Sequence, residues 1–233
     1  MKVEVLDSAD AVAEEAAAII ATDARIATAQ RGRFVMAVSG GRTPWAMLRA
    51  LAELPGVPWP SVHVFQVDER VAPAGDPERN LTHLRESLLA RAPLPPGQVH
   101  AMPVEAADLE AGAADYAREL ARVCGAPAVL DLVHLGVGPD GHTASLVPGD
   151  PVLGVADRDV AVTGPYQERR RMTLTYPALD RARELLWLAT GADKAPMLAR
   201  LRDGDPSIPA GRVRSDRALA LVDRAAAAAL ERH

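Results

Sequence analysis

The chain has 233 residues and a formal net charge of −5, with 48 % hydrophobic but only 3 % aromatic residues. That length suits one large domain over residues 1–233, with a core built mainly of Ala, Leu and Val. The acidic balance argues against a nucleic-acid partner, which a clustered basic face would mark, and no apolar run approaches the roughly 20 residues that span a bilayer.

The N-terminal MKVEVLDSAD carries acids where a signal peptide needs an apolar core, so a cytoplasmic location is expected. Residues 3–6 alternate briefly as a first strand, and Ser8 is placed to cap a helix running to about residue 29. Phe34–Val38 is continuously apolar, as a strand buried on both faces requires. It ends in Ser39, Gly40, Gly41, Arg42 and Thr43, and Pro44 then suits the first turn of a helix to about residue 53. Residues 62–67 repeat the strand pattern and end in Asp68, Glu69 and Arg70, which read as the start of a loop. A helix over 79–90, a Pro-rich connection over 93–97, an extended piece over 99–102 and a long amphipathic helix over 105–124 follow. The single cysteine, Cys124, ends that helix and offers neither an internal disulfide nor a paired metal ligand.

A strand over 130–135 runs into LGVGPDGHTASLVPG at 135–149. Further strands are expected over 160–162, 172–175, 184–189 and 218–222, with a helix over 194–201 and a terminal Ala-rich helix capped by Asp223. Strand and helix alternate through short connections. The pattern predicts a single-domain α/β fold, a mostly parallel, Rossmann-like sheet with helices on both faces.

In such sheets ligands bind beyond the carboxyl ends of the strands, so three strand endings matter. Around Gly40 and Gly41 the backbone can approach a ligand closely, and the free N–H groups of the following helix favour an anion, with Arg42 and Thr43 adding a charge and a hydroxyl. The Walker and GxGxxG spacings are absent. Asp68, Glu69 and Arg70 cannot all point into a core; Arg70 is a candidate anion contact and Asp68 a candidate floor of the site. In the third ending Gly136, Gly138 and Gly141 free the backbone beside Asp140 and His142, and an imidazole titrates where proton transfer near neutrality needs it. His134 and His142 are not placed as metal ligands, and His134 is expected to pack within its strand. Arg169, Arg170 and Arg171 precede a strand, and Lys194 opens a helix after another, so both places could add cations to the same edge.

Collinear blocks then mark a resemblance: SGGRTP at 39–44, DERVAP at 68–73 with Arg79 and Asn80 beyond, GPDGHTASL within 135–149, RMTLTYPAL at 171–179 and LATGADKA at 188–195. The chain resembles the 6-phosphogluconolactonases, which share a fold with glucosamine-6-phosphate deaminases and ribose-5-phosphate isomerases. The deaminases follow their GxDGH turn with Asn-Glu-Pro, whereas this chain has Thr143-Ala144-Ser145, which favours the lactonases. The resemblance implies that His142 is the acid/base of lactone hydrolysis. It implies that Arg70 holds phosphate near the 39–43 turn, with Arg171 and Lys194 as further anion contacts, and that no metal or organic cofactor is used. Two departures stand out: residues 163–168 lack the family's frequent Lys-Pro-Pro, and in Glu78-Arg79-Asn80 an arginine precedes the Asn where a serine is common.

The expected reaction is hydrolysis of a phosphorylated sugar lactone, with His142 as base and then acid, Asp140 in support, and backbone N–H groups of the glycine turns stabilising the oxyanion. Ser145 is not a nucleophile, since GxSxG is absent. A deaminase or isomerase on the same fold is the nearer alternative, and a non-catalytic sugar-phosphate sensor the more distant. The partner is a small-molecule substrate, and a monomer or weak homodimer is expected.

Overall fold

Five consecutive buried residues in Phe34–Val38 can be accommodated only by a strand with neighbours on both sides and cover on both faces. The computed structural model, which describes residues 1–230, provides both. In chain order the elements are β1 (Lys2–Leu6), α1 (Ala9–Arg31), β2 (Phe34–Val38), α2 (Arg42–Glu53), β3 (Val62–Gln66), β4 (Asp68–Arg70), α3 (Asn80–Leu84), β5 (Val99–His100) and α4 (Leu109–Cys124). They continue with β6 (Leu132–Leu135), β7 (Val160–Val162), β8 (Arg171–Leu174), α5 (Tyr176–Asp180), β9 (Glu184–Ala189), α6 (Ala195–Arg202), β10 (Ala218–Asp223) and α7 (Arg224–Ala227).

Seven strands form a parallel sheet in the order β1-β10-β9-β6-β2-β3-β5. Side-chain alternation sends each strand into two cores. Phe34, Met36 and Val38 of β2 face α1 and α2, beside Leu186 and Leu188 of β9. Val35 and Ala37 face the other way, toward Tyr116 and Leu120 of α4 and Leu198 of α6. Small residues make the first contact possible: Ala13, Ala16, Ala17 and Ala24 of α1 are all buried, so the low aromatic content shows up as close helix-to-sheet packing.

After β2 the chain builds outward through β3 and β5, and after β6 it builds outward the other way through β9 and β10. The loops that leave β2 and β6 therefore diverge, and the crevice between them is where an open α/β sheet binds ligands.

Several elements differ from their sequence expectation. Residues 68–70 form a strand, not a loop: β4 pairs antiparallel with β8, which pairs with β7, in a separate three-stranded sheet. The expected helix over 79–90 is a short α3 followed by a wider π turn over Arg85–Leu89. Helix α4 starts at Leu109, because Asp108 accepts the N–H groups of Glu110 and Ala111 and caps it there. Residues 231–233, the end of the expected domain, lie outside the described residues.

At the amino edge of the sheet, away from the crevice, Glu184 of β9 hydrogen-bonds Asp23 of α1, and burial and that neighbouring carboxyl push Glu184 up to about 7. Unfolded, it titrates near the ordinary 4.5, so between these values the folded state holds a proton that the unfolded state has released. Stability contributed by this pair is lost as pH rises through that window. Urea unfolding of Glu184→Gln should accordingly lose less stability than wild type between about pH 5 and about pH 8; identical losses would show that the pair does not set the slope.

Candidate active site

The carboxyl edge of the sheet opens into a cavity of about 700 Å³ between the loops after β2, β6 and β9. Ser39, Gly40, Gly41, Arg42, Thr43, Asp68, Arg70, His142, Arg171 and Lys194 all line it. Asp140 stands behind His142 and reaches the cavity only through that ring.

The wall at Arg70 depends on Glu69. The three charges do not all enter the core, as expected: Arg70 stays half-buried at the cavity, while Asp68 is 4 % and Glu69 0 % exposed. Burial is possible because every oxygen is met. Glu69 Oε1 accepts the N–H groups of Arg70 (2.9 Å) and Asn80 (2.8 Å), and Oε2 accepts Leu81 N–H (2.8 Å) and Gln66 Nε2 (2.9 Å). Arg79, itself buried, adds charge compensation at 3.6 Å. The carboxylate thus pulls the start of α3 against β4 and brings Asn80 over the cavity. Asn80 Oδ1 accepts from Arg70 Nη1 at 2.8 Å, while its Nδ2 donates to the Asp68 carbonyl at 3.0 Å. A Cβ on Gly40 would lie 1.9 Å from Asn80 Oδ1, so glycine is required there for close approach. Asp68 is further held by the Ser145 hydroxyl at 2.6 Å.

At the opposing wall Gly138 N–H donates to the His142 carbonyl at 2.8 Å, and Gly141, at φ +83°, donates to the Gly138 carbonyl. A Cβ on Gly138 would strike the His142 ring at 2.1 Å. These glycines therefore position the imidazole, and their N–H groups are committed within the turn. That corrects the expectation that the Gly138 and Gly141 amides serve an oxyanion; the uncapped N-terminus of α2, at Gly41, keeps free donors. His142 Nδ1 lies 2.5 Å from Asp140 Oδ1. Partial burial works against the charged carboxyl, but the His142 ring, its backbone N–H and the Tyr166 hydroxyl outweigh it and hold Asp140 below the usual carboxylate range. An ionised Asp140 is an acceptor only, so Nδ1 carries the hydrogen and the neutral ring keeps its lone pair at Nε2.

Of the three consecutive arginines, Arg171 lines the cavity. Arg169 pairs with Asp76 and Glu78, and Arg170 reaches Glu110. Arg171 is 4 % exposed, and burial together with nearby Arg70 lowers its guanidinium from the ordinary value. Both Arg70 and Arg171 leave a buried Nε–H without a partner. Two facing cations with unused buried donors are what an anion site requires. Beyond β9, the Thr43 and Thr190 hydroxyls meet at 2.6 Å, and Asp223 holds Gly191 N–H at 3.0 and 3.1 Å, which shapes the loop that carries Lys194.

His134 is packed as expected, and burial pushes its ring down to about 3. It supports the β2 loop: Ser39 N–H donates to Nδ1 at 3.2 Å, and the Ser39 hydroxyl donates to the His134 carbonyl at 3.0 Å. Sequence reasoning missed Asn80 as a wall residue, and it missed Glu69, Thr190, Asp223 and Tyr166. Of these Asn80, Glu69 and Thr190 carried a signal, their places in shared blocks; Asp223 and Tyr166 act through contacts distant in sequence. Among the described residues no group of three or more His, Cys, Asp or Glu is placed to hold a metal ion, and no helix is long and apolar enough to cross a membrane.

An open parallel sheet, a crevice at its switch point and a His–Asp pair facing a cationic cavity define an α/β protein with its ligand site at the strand ends. The chain belongs to the glucosamine-6-phosphate isomerase/6-phosphogluconolactonase family, whose model matches residues 7–222. It is 40 % identical over 240 residues to the 6-phosphogluconolactonase of Streptomyces coelicolor, covering 95 % of this chain and 91 % of that one. The 6-phosphogluconolactonase of Synechocystis is 38 % identical over 204 residues, covering 86 % and 84 %. The crystal structure of 6-phosphogluconolactonase from Thermotoga maritima superposes with a TM-score of 0.84 at 29 % identity, covering 95 % of this chain and 98 % of that one.

Glu69→Ala removes the acceptor of four donors and leaves the buried Arg79 with Glu105 as its remaining carboxylate partner. Breaking such a pair costs about 3 kcal/mol or more, which should appear as a lower urea midpoint. A loss below about 1 kcal/mol would mean that Glu69 does not hold this wall.

Proposed function

We propose that this chain hydrolyses 6-phospho-D-glucono-1,5-lactone to 6-phosphogluconate. The observation that carries the reading is the placement of the Asp140–His142 pair, whose free Nε2 belongs to a cavity that Arg70 and Arg171 also line. The family and its lactonase relatives support it.

In this reading the phosphate binds at the N-terminus of α2, where free N–H groups near Arg42 and Thr43 meet Arg70, Arg171 and Lys194. Asp68 and Ser39, fixed from behind, shape the floor. Phosphate binding anchors the substrate and sets the lactone carbonyl against His142, so remote binding energy serves orientation. Nε2 takes a proton from water as its oxygen bonds to the carbonyl carbon. The tetrahedral intermediate then collapses, the bond from carbon to ring oxygen breaks, and Nε2–H returns the proton to that oxygen. Asp140 keeps the Nδ1 hydrogen throughout and stabilises the imidazolium between the two steps. The negative charge developing on the carbonyl oxygen faces a cationic cavity. The reading places the protein in the cytoplasm, where its one thiol, Cys124, needs no disulfide partner, and as a monomer or weak homodimer.

With spontaneous hydrolysis subtracted, His142→Ala should fold normally and lose on the order of 10²–10⁴-fold in turnover, while Arg171→Ala should chiefly raise KM. Near-normal turnover by His142→Ala would reject the assignment. Ammonia release from glucosamine 6-phosphate without lactone hydrolysis would move the chain to the deaminase branch.

A further inference from the structure

The segment that departs from the family's Lys-Pro-Pro pattern carries a group the reaction scheme has not used. Residues 166–169 form a tight hairpin in which Tyr166 N–H donates to the Arg169 carbonyl at 2.9 Å. Its two central residues, Gln167 and Glu168, sit at φ +50° and +65°, a left-handed conformation usually left to Gly, Asn or Asp. Such backbone persists only where surrounding contacts over-determine it. Here Arg169 pairs outward with Asp76 and Glu78, and Tyr166 and Gln167 contact the cavity wall.

The Tyr166 hydroxyl donates to Asp140 Oδ2 at 3.0 Å, the oxygen that His142 does not use. The ring edge meets the His142 imidazole at a centroid distance of 5.6 Å. The ring face lies under Arg171, whose guanidinium carbon is 4.9 Å from the centroid, and Gln167 Oε1 accepts from Arg171 Nη2 at 3.0 Å. One hairpin therefore touches the carboxylate behind the imidazole, the imidazole itself and the buried cation of the anion site.

We propose that Tyr166 is a positioning residue that locks the Asp140 carboxylate in the plane that orients His142 and couples that pair to the Arg171 anion contact. The inference rests on the lactonase reading for its kinetic consequence but not for its geometry. With both oxygens engaged, Asp140 cannot rotate away from Nδ1; with Oδ2 released, it can. The ionisable neighbours of Asp140 are His142 and Tyr166, and Tyr166 adds Arg171. The hydroxyl helps keep Asp140 ionised, so its loss makes the carboxylate easier to protonate.

Tyr166→Phe keeps the ring and removes only the hydroxyl. It should fold with an unchanged melting temperature, lower kcat for the phosphorylated lactone about tenfold, as loss of one hydrogen bond to a charged group does, and leave KM within about twofold. The acidic limb of its pH–rate profile should move to higher pH. Tyr166→Ala, which also removes the surface under Arg171, should raise KM as well. Wild-type kcat with an unmoved acidic limb in Tyr166→Phe would overturn the proposal. The ring resonances of His142 in the ligand-free protein separate this failure from that of the functional reading. The Nδ1–H proton signal should shift in Tyr166→Phe even if the lactone proves not to be the substrate, and an unshifted signal would overturn the proposal regardless of substrate.

Discussion

The site depends on one buried carboxylate. Glu69 has no contact with solvent and is tolerable in the interior only because backbone and side-chain donors surround both oxygens, with Arg79 alongside. Those donors come from β3, β4 and the start of α3, so satisfying the charge fixes three elements relative to one another. Arg70 and Asn80 then have little choice of position: one is anchored by its own backbone N–H, the other by the first turn of α3. The Gly40 turn closes onto Asn80 from β2, at a spacing that no side chain larger than hydrogen permits. A costly interior charge is in this way converted into a rigid cavity wall.

The two walls divide the work. Toward Arg70, Arg171 and Lys194 the cavity offers cations whose protein partners leave donors unused, which suits an anion that arrives with the ligand. Toward His142 it offers an imidazole whose one nitrogen is bound by Asp140 and whose other is open. Chemistry and grip come from different loops of one sheet edge, and Tyr166 of the β7–β8 hairpin spans both. The small antiparallel sheet places Asp68–Arg70 beside Arg171–Thr173, which the parallel sheet alone could not do.

The parallel frame was legible because FVMAV is apolar on both faces, and the 62–67 run and the strand before LGVGPDGHTASLVPG repeat its length and mostly apolar character between helices. His142, Asp140, Arg70 and Lys194 were legible as polar groups at strand ends. The second sheet was not, because DER has no strand signature of its own; it becomes a strand only when Arg171–Leu174 supplies its partner and Glu69 finds its donors. The burial of Glu69 was not legible for the same reason: its compensation comes from residues up to Leu81 and from tertiary packing. The glycines of the His142 turn pointed to the right place but suggested the wrong use, since their amides close the turn and their missing side chains admit the imidazole.

The central claim is that the anion site sets the ligand's far end against the free nitrogen of His142. A crystal structure with 6-phosphogluconate bound tests it most directly. The phosphate should lie against Arg70, Arg171 and the start of α2, with the carboxylate within hydrogen-bond reach of His142 Nε2. A product lying the other way round, or with its carboxylate far from His142, would contradict the account.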